Sequence, residues 1–137
     1  MKTPQIFAVA LSLIVSLPFS VTADESRVVL VTGANRGIGL EFAQQLVAKG
    51  HDVIGTARNP AKATELKATG ARVEQLDVMD AASVAALAQS LDGVAIDILI
   101  NNAGMLNRED SSLDTLDFDV MERSFQVNSL GPLRVTQ

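Results

Sequence analysis

Gly33, Gly37 and Gly39 punctuate the run Thr32-Gly33-Ala34-Asn35-Arg36-Gly37-Ile38-Gly39. The apolar run Val28-Val29-Leu30-Val31 comes before it, and an amphipathic stretch follows. Glycines spaced G-x-x-x-G-x-G between a strand and a helix can cradle an anion. Gly33 permits a tight turn that a side chain would obstruct. Gly37 lets the backbone approach phosphates, and Gly39 lets the new helix pack closely on the sheet. The first helical turn then offers unpaired N–H groups and a partial positive charge. The chemistry these residues predict is the binding of a dinucleotide pyrophosphate. Their spacing differs from the G-x-G-x-x-G of many dinucleotide sites.

The elements that must position this turn are legible as an alternation. Val28 to Val31 reads as a strand covered on both faces. Ile38, Phe42, Leu46 and Val47 recur at helical spacing up to Lys49, and Gly50 is a stop signal. Asp52 to Ala57 reads as a second strand. Asn59-Pro60 supplies an N-cap and a first-turn proline for a helix to about Thr69, with Gly70 beyond it. Ala71 to Leu76 is a third strand. Asp80 caps a helix whose Val84, Leu87, Ala88 and Leu91 form one apolar face. Ile96 to Ile100 is a fourth strand, ending in Asn101-Asn102-Ala103-Gly104, and a loop runs from Met105 to about Leu113. Two helical segments follow. In the first, Leu116, Val120, Met121 and Phe125 face one way; the second opens at Gly131-Pro132. Strands alternating with helices predict right-handed βαβ units and an α/β, doubly wound parallel sheet in three layers.

Composition narrows the function classes. The chain has 137 residues, 47% of them hydrophobic, with a formal net charge of −5. All 16 acidic residues follow residue 23, and Lys2 is the only basic residue before it. An acidic domain argues against a nucleic-acid or anionic-membrane surface. There is no Cys, and His51 stands alone in a turn, so no metal site is expected. Asp114, Asp117 and Asp119 read as solvated residues favoured by a helix dipole. The first 23 residues run from Met1-Lys2 through an apolar stretch, Ile6 to Phe19, to Val21 and Ala23. That order reads as a secretory signal peptide, with an uncleaved anchor as the alternative. Residues 24–137 then form one nucleotide-binding domain. An exported domain is periplasmic or secreted; an uncleaved prefix leaves it membrane-anchored or cytoplasmic.

Four stretches in order give the chain its resemblance. Thr32 to Gly39 has the form T-G-x-x-x-G-x-G, Asp77-Val78 follows the third strand, Asn101 to Gly104 reads N-N-A-G, and Asn128 lies in a later helix. On these motifs residues 27–137 resemble the amino-terminal part of the classical short-chain dehydrogenases/reductases. The text around Asn128 looks most like their C-signal-factor and carbonyl-reductase-like branch. The resemblance implies a Rossmann-type fold, incomplete at about four strands, and hydride transfer between nicotinamide and a carbonyl or alcohol. It implies cofactor contacts from Thr32, Gly33, Asn35, Arg36, Gly37, Ile38, Gly39, Arg58, Asp77, Val78, Asn101, Asn102, Ala103 and Gly104. In the family the aspartate accepts from the adenine amino group, and the threonine braces the N-N-A-G segment. Asn128 corresponds to the catalytic asparagine, which bends its helix. The full-length form is expected to be a homo-oligomer.

No carboxylate closes the second strand, where NAD-selective proteins place one against the ribose 2′-OH. Gly55-Thr56-Ala57-Arg58-Asn59 stands there instead. Arg36 and Arg58 could together grip a 2′-phosphate, so NADP(H) is expected in preference to NAD(H). The family's proton donor is a Tyr, with a Lys four residues later that lowers its pKa from about 10. This chain has no Tyr. Ser111, Ser112, Ser124 and Ser129 all precede the expected position of the family's catalytic Ser. Leu133 to Gln137 reads as the first turns of a helix cut short. The chain alone is therefore expected to bind dinucleotide without turning over substrate, either as part of an oxidoreductase or as a non-catalytic binding or regulatory module.

Overall fold

In the computed structural model, residues 25–106 and 113–137 are described. The 1–23 prefix and most of the expected 105–113 loop lie outside them. Four strands form one parallel sheet: β1 (Val28–Val31), β2 (Asp52–Ala57), β3 (Arg72–Gln75) and β4 (Ile98–Ile100), in the order β3-β2-β1-β4. In register, Val29 pairs with Val53 on one side and with Ile98 on the other. Helices α1 (Gly37–Ala48), α2 (Thr64–Ala68), α3 (Ala81–Ser90), α4 (Phe118–Phe125) and α5 (Gly131–Thr136) complete the order.

The period-two alternation of β1 builds the layers. Val29 and Val31 join Ala43, Val53, Ala63 and Leu66 on the face covered by α1 and α2. Leu30 joins Ile54, Leu76, Val78, Leu87 and Leu91 on the face covered by α3, with Val127 and Val135 packed against it. Gly55 makes room on the first face. A Cβ there would lie 2.8 Å from Leu66 Cδ1 and 3.0 Å from Ala34 Cβ. Leu66 is fully buried as a result.

Four sequence expectations change in the structure. The helix after Asn59 is not continuous. A 3-10 turn at Pro60–Lys62, started by Asn59 Oδ1 accepting from Ala61 N at 3.1 Å, breaks at Ala63 before α2 begins. The break turns Ala63 and Leu66 into the core together. On α1 the buried residues are Gly39 and Ala43, while Ile38 is 72% exposed. Small residues bring the helix onto the sheet, so Ile38 and Phe42 face outward, while Leu40, Leu46 and Val47 pack against the core as half-buried residues. On α3 Ala88 is exposed and Ser83 is buried in its stead. Finally, α4 and α5 are not separate helices. A π-helical turn, Gln126–Leu130, joins them with Gly131 still in the right-handed helical region. Pro132 has no N–H to give the carbonyl of Asn128, four residues earlier, so the regular ladder cannot run through this point. Leu116 and Val120 are half-buried, whereas Phe118, Met121 and Phe125 are 74%, 50% and 56% exposed along α4.

Candidate dinucleotide site

A parallel sheet places its ligand crevice beyond the carboxyl ends of the strands. Strand order therefore decides which sequence motifs become neighbours. Asp77 lies beyond β3, Arg58 beyond β2, the glycine turn beyond β1 and Asn101 to Gly104 beyond β4. Three spacings of about 4.8 Å separate the outer strands, so the motifs span roughly 14 Å. A hollow of about 490 Å³ lies at the opposite, amino ends of the strands, lined by Val28, His51, Asp52 and Arg72 among others. It holds none of the motif residues. The donor groups described next converge at the carboxyl edge.

The glycine turn is tied down from both sides. On the β2 side, Thr56 Oγ1 accepts from Gly33 N at 3.2 Å, and Thr56 O accepts from Ala34 N at 2.8 Å. On the β4 side, Asn102 Nδ2 donates to Thr32 O at 2.9 Å and to Gly33 O at 3.1 Å. Gly33 has φ +64° and Gly37 φ +57°, where L side chains are strained. At Gly37 a Cβ would meet nothing within 4 Å, so the backbone faces open space. At Gly39 a Cβ would run into Asn102 Nδ2 and lie 2.5 Å from Gly33 O. Arg36 occupies the N-cap of α1 without a side-chain capping bond. The N–H groups of Gly37, Ile38 and Gly39 therefore have no acceptor among the described residues. Orphan donors at the amino end of a twelve-residue helix suit a phosphate.

Thr32 is the hub. It is 1% exposed. Its Oγ1 accepts from Asn102 N at 2.9 Å and Ala103 N at 3.0 Å, and donates to Ile100 O at 3.4 Å. Thr32→Val leaves two N–H groups without an acceptor while keeping the shape. Each unsatisfied group costs about 1–3 kcal/mol. Loss of about 2–4 kcal/mol in chemical denaturation is expected, and Thr32→Ser should restore most of it. A Thr32→Val chain as stable as wild type overturns this role.

Asn128 clamps the other end of the N-N-A-G segment. Its Oδ1 accepts from Met105 N at 2.9 Å, and its Nδ2 donates to Met105 O at 2.8 Å. A Cβ on Gly104 would lie 3.3 Å from the same Oδ1. Asn128 sits in the π turn, a feature that often marks functional segments. Asn101 Nδ2 donates to Thr136 Oγ1 at 3.3 Å, an exposed bond that holds α5.

Asp77 closes a turn on itself: its Oδ1 accepts from Met79 N at 3.0 Å and its carbonyl from Asp80 N at 3.1 Å. Its second carboxylate oxygen has no partner among the described residues. Val78 turns its side chain into the core, so only its backbone can face a ligand. Arg36 and Arg58 are exposed, and neither guanidinium has a partner among the described residues. Asn35 is half-buried.

Thr56, Ser83, Gln126 and Arg134 complete the frame, and motif reading missed all four. Arg134 donates to Val78 O at 3.4 Å and to Gln126 Oε1 at 2.8 Å, joining the Asp77 turn to the π turn. A Cβ on Gly131 would lie 2.9 Å from Val78 Cγ2, so α5 seats directly on this turn. These pairings cross the sheet or the helical layer, and no local pattern announces them.

The parallel four-stranded sheet, its covering helices and the glycine turn at its carboxyl edge make a Rossmann-type α/β fold. The short chain dehydrogenase family profile matches residues 27–137, and the chain belongs to that family. Galactitol 2-dehydrogenase from Agrobacterium fabrum (strain C58 / ATCC 33970) is 37% identical over 113 residues, covering 79% of this chain and 43% of that protein. The NADPH-dependent pterin aldehyde reductase of Arabidopsis thaliana is 36% identical over 115 residues, covering 74% of this chain and 47% of that one. Among solved structures, a short-chain dehydrogenase/reductase from Burkholderia multivorans with bound NADP superposes with a TM-score of 0.74 at 32% identity, covering 81% of this chain and 51% of that one. The chain spans about half the length of the curated relatives it matches.

Proposed function

We propose that this chain binds NADP(H) as the dinucleotide-binding part of a short-chain oxidoreductase acting on a small carbonyl or alcohol. The observation that carries the proposal is the order of groups along the carboxyl edge. Asp77, Arg58, the glycine turn and Asn101 to Gly104 follow one another across the sheet. An extended dinucleotide presents adenine, 2′-substituted ribose, pyrophosphate and nicotinamide ribose in the same sequence. Asp77 offers a carboxylate acceptor and Val78 the next backbone N–H as a donor. Adenine presents the complementary pair, an amino donor beside a ring-nitrogen acceptor. Gly37, Ile38 and Gly39 offer their N–H groups to the pyrophosphate, and Arg36 and Arg58 their guanidinium groups to a 2′-phosphate. The small Ala103-Gly104 end leaves room for the nicotinamide-side ribose.

When bound, the nicotinamide supplies or accepts a hydride. The residues of this chain bind and orient it, with Asn128 holding the Met105 backbone beside the nicotinamide end. Proton transfer needs an acid, and the chain contains no Tyr. The second reading is a dinucleotide-binding or regulatory module without redox activity of its own. Titration of the 137-residue chain with NADPH and NADH, followed by nicotinamide fluorescence, tests both readings. Tighter NADPH binding with no reduction of ketones or aldehydes is the expected result. Tighter NADH binding overturns the cofactor assignment, and measured turnover overturns the assignment of the chain alone as inactive.

Phe118, Met121 and Phe125 form an exposed apolar stripe on α4. Burying such a stripe against a second copy supports the homo-oligomeric reading of the full-length form. Export remains part of the proposal through the 1–23 prefix. Among the described residues no helix is long and apolar enough to cross a membrane.

A further inference from the structure

We infer that Ser83 is a positioning residue for base selectivity: its buried hydroxyl holds the Asp77–Val78 turn in the register that presents an acceptor and then a donor to adenine. The inference rests on the reading of Asp77 as the adenine acceptor and extends it to a residue outside the motif.

Ser83 lies in the first turn of α3 and is 6% exposed. Its Oγ accepts from Asp77 N at 2.9 Å and donates to Gln75 Oε1 at 3.4 Å. The helix does not need this hydroxyl as a cap, because Asp80 Oδ1 already accepts from Ala82 N at 2.9 Å. At a buried helical position alanine has the higher propensity and buries no polar atom. What the hydroxyl contributes lies six residues back, at the start of the turn. Two further bonds, Met79 N to Asp77 Oδ1 and Asp80 N to Asp77 O, are local and set the shape of the turn. The Asp80 bond ties the carbonyl side of Asp77 to the N-cap of α3, and the Ser83 bond ties its N–H to the body of the helix. Without it the Asp77 N–H loses its acceptor, and the Asp77 peptide can tilt while Val78 stays held by the core and by Arg134. The free carboxylate oxygen and the Val78 N–H then leave their shared alignment.

Hypoxanthine reverses adenine's pattern, placing an acceptor where adenine has its amino group and a donor at the neighbouring ring nitrogen. The ratio of affinities for NADPH and its hypoxanthine counterpart therefore reads the alignment of Asp77 and Val78. General loss of stability lowers both affinities together and leaves the ratio in place. The chain has no Trp and no Tyr, so nicotinamide emission reports binding without protein background.

In the full chain NADPH is expected to bind about tenfold tighter than the hypoxanthine dinucleotide, the effect of one charge-assisted hydrogen bond. Ser83→Ala should reduce that ratio to about threefold or less, and Asp77→Asn, which leaves only the Val78 N–H to discriminate, should reduce it at least as far. An unchanged ratio in Ser83→Ala beside a lowered one in Asp77→Asn overturns the role of Ser83 alone. A wild-type ratio near one, or a ratio unmoved by Asp77→Asn, overturns the adenine reading on which the role depends. Should Ser83→Ala fail to fold, Ser83→Cys decides, since a thiol keeps the size and weakens the hydrogen bond. A lowered ratio in that variant supports the inference, and a wild-type ratio overturns it.

Discussion

Gly39→Ala is expected to reduce dinucleotide affinity at least a hundredfold and to lower folding stability by about 1–3 kcal/mol. Two effects oppose each other here. Alanine is better than glycine inside a helix by about 1 kcal/mol, and Gly39 has an ordinary negative φ. On propensity alone the substitution would stabilise α1. The added Cβ, however, would run into the Asn102 amide and lie 2.5 Å from the Gly33 carbonyl oxygen. Neither neighbour can turn aside cheaply. Asn102 Nδ2 is committed to Thr32 O and Gly33 O, and the Gly33 carbonyl is part of the backbone that forms the turn. Relief requires α1 to move away from the turn, taking the N–H groups of Gly37, Ile38 and Gly39 with it. Packing therefore wins over propensity, and the phosphate site is lost with it. Denaturation and NADPH titration of the same variant check both parts. A variant more stable than wild type that still binds NADPH overturns this account of the turn.

Arg36→Ala and Arg58→Ala should each weaken NADPH about tenfold while leaving NADH within about twofold. Charged hydrogen bonds contribute about 1.5–3 kcal/mol, and 1.4 kcal/mol is a factor of ten. Both side chains are exposed, so the lower end of that range applies after solvent screening. Neither has a protein partner among the described residues, so removal should leave folding stability unchanged. The double substitution should bring NADPH and NADH to similar affinities. Arg58→Asp should go further and favour NADH, because it supplies the missing acceptor for a ribose 2′-OH at the end of β2. Added salt should weaken NADPH more than NADH in the wild-type chain and equally in the double variant. Equal losses for both dinucleotides in either single variant would show that the arginine touches the pyrophosphate or only the fold.

The sequence was most readable where a local requirement dictates residue type. The strand-turn-helix order around Gly33 to Gly39, the Asp80 cap and the Gly50 and Gly70 stops all lie within a few residues of what they control. The structure follows each of them. Reading failed where a tertiary neighbour overrode a local pattern. Asn59-Pro60 starts a helical turn as its chemistry demands, yet the segment breaks at Ala63 because Ala63 and Leu66 both enter the core. Ala88 fits the apolar stripe of α3 by period, but its solvent-facing position and the burial of Ser83 follow from the neighbouring turn. Pro132 suggests a fresh helix start, and the chain instead absorbs it in a π turn.

The sequence by itself determined the kinds of group available: a glycine turn without side chains, an aspartate after β3, a four-residue polar-to-small ending on β4 and two arginines without a carboxylate nearby. These follow from residue type and short spacing. Only the tertiary structure decided their order in space, because strand order β3-β2-β1-β4 differs from chain order. It also decided which residues hold them. Thr32 meets Asn102 across 70 residues of chain, Asn128 meets Met105 across 23, and Arg134 meets Val78 across 56. Hydrogen bonds at such separations leave no periodic trace in a sequence, since only the folded sheet brings their donors within reach of their acceptors.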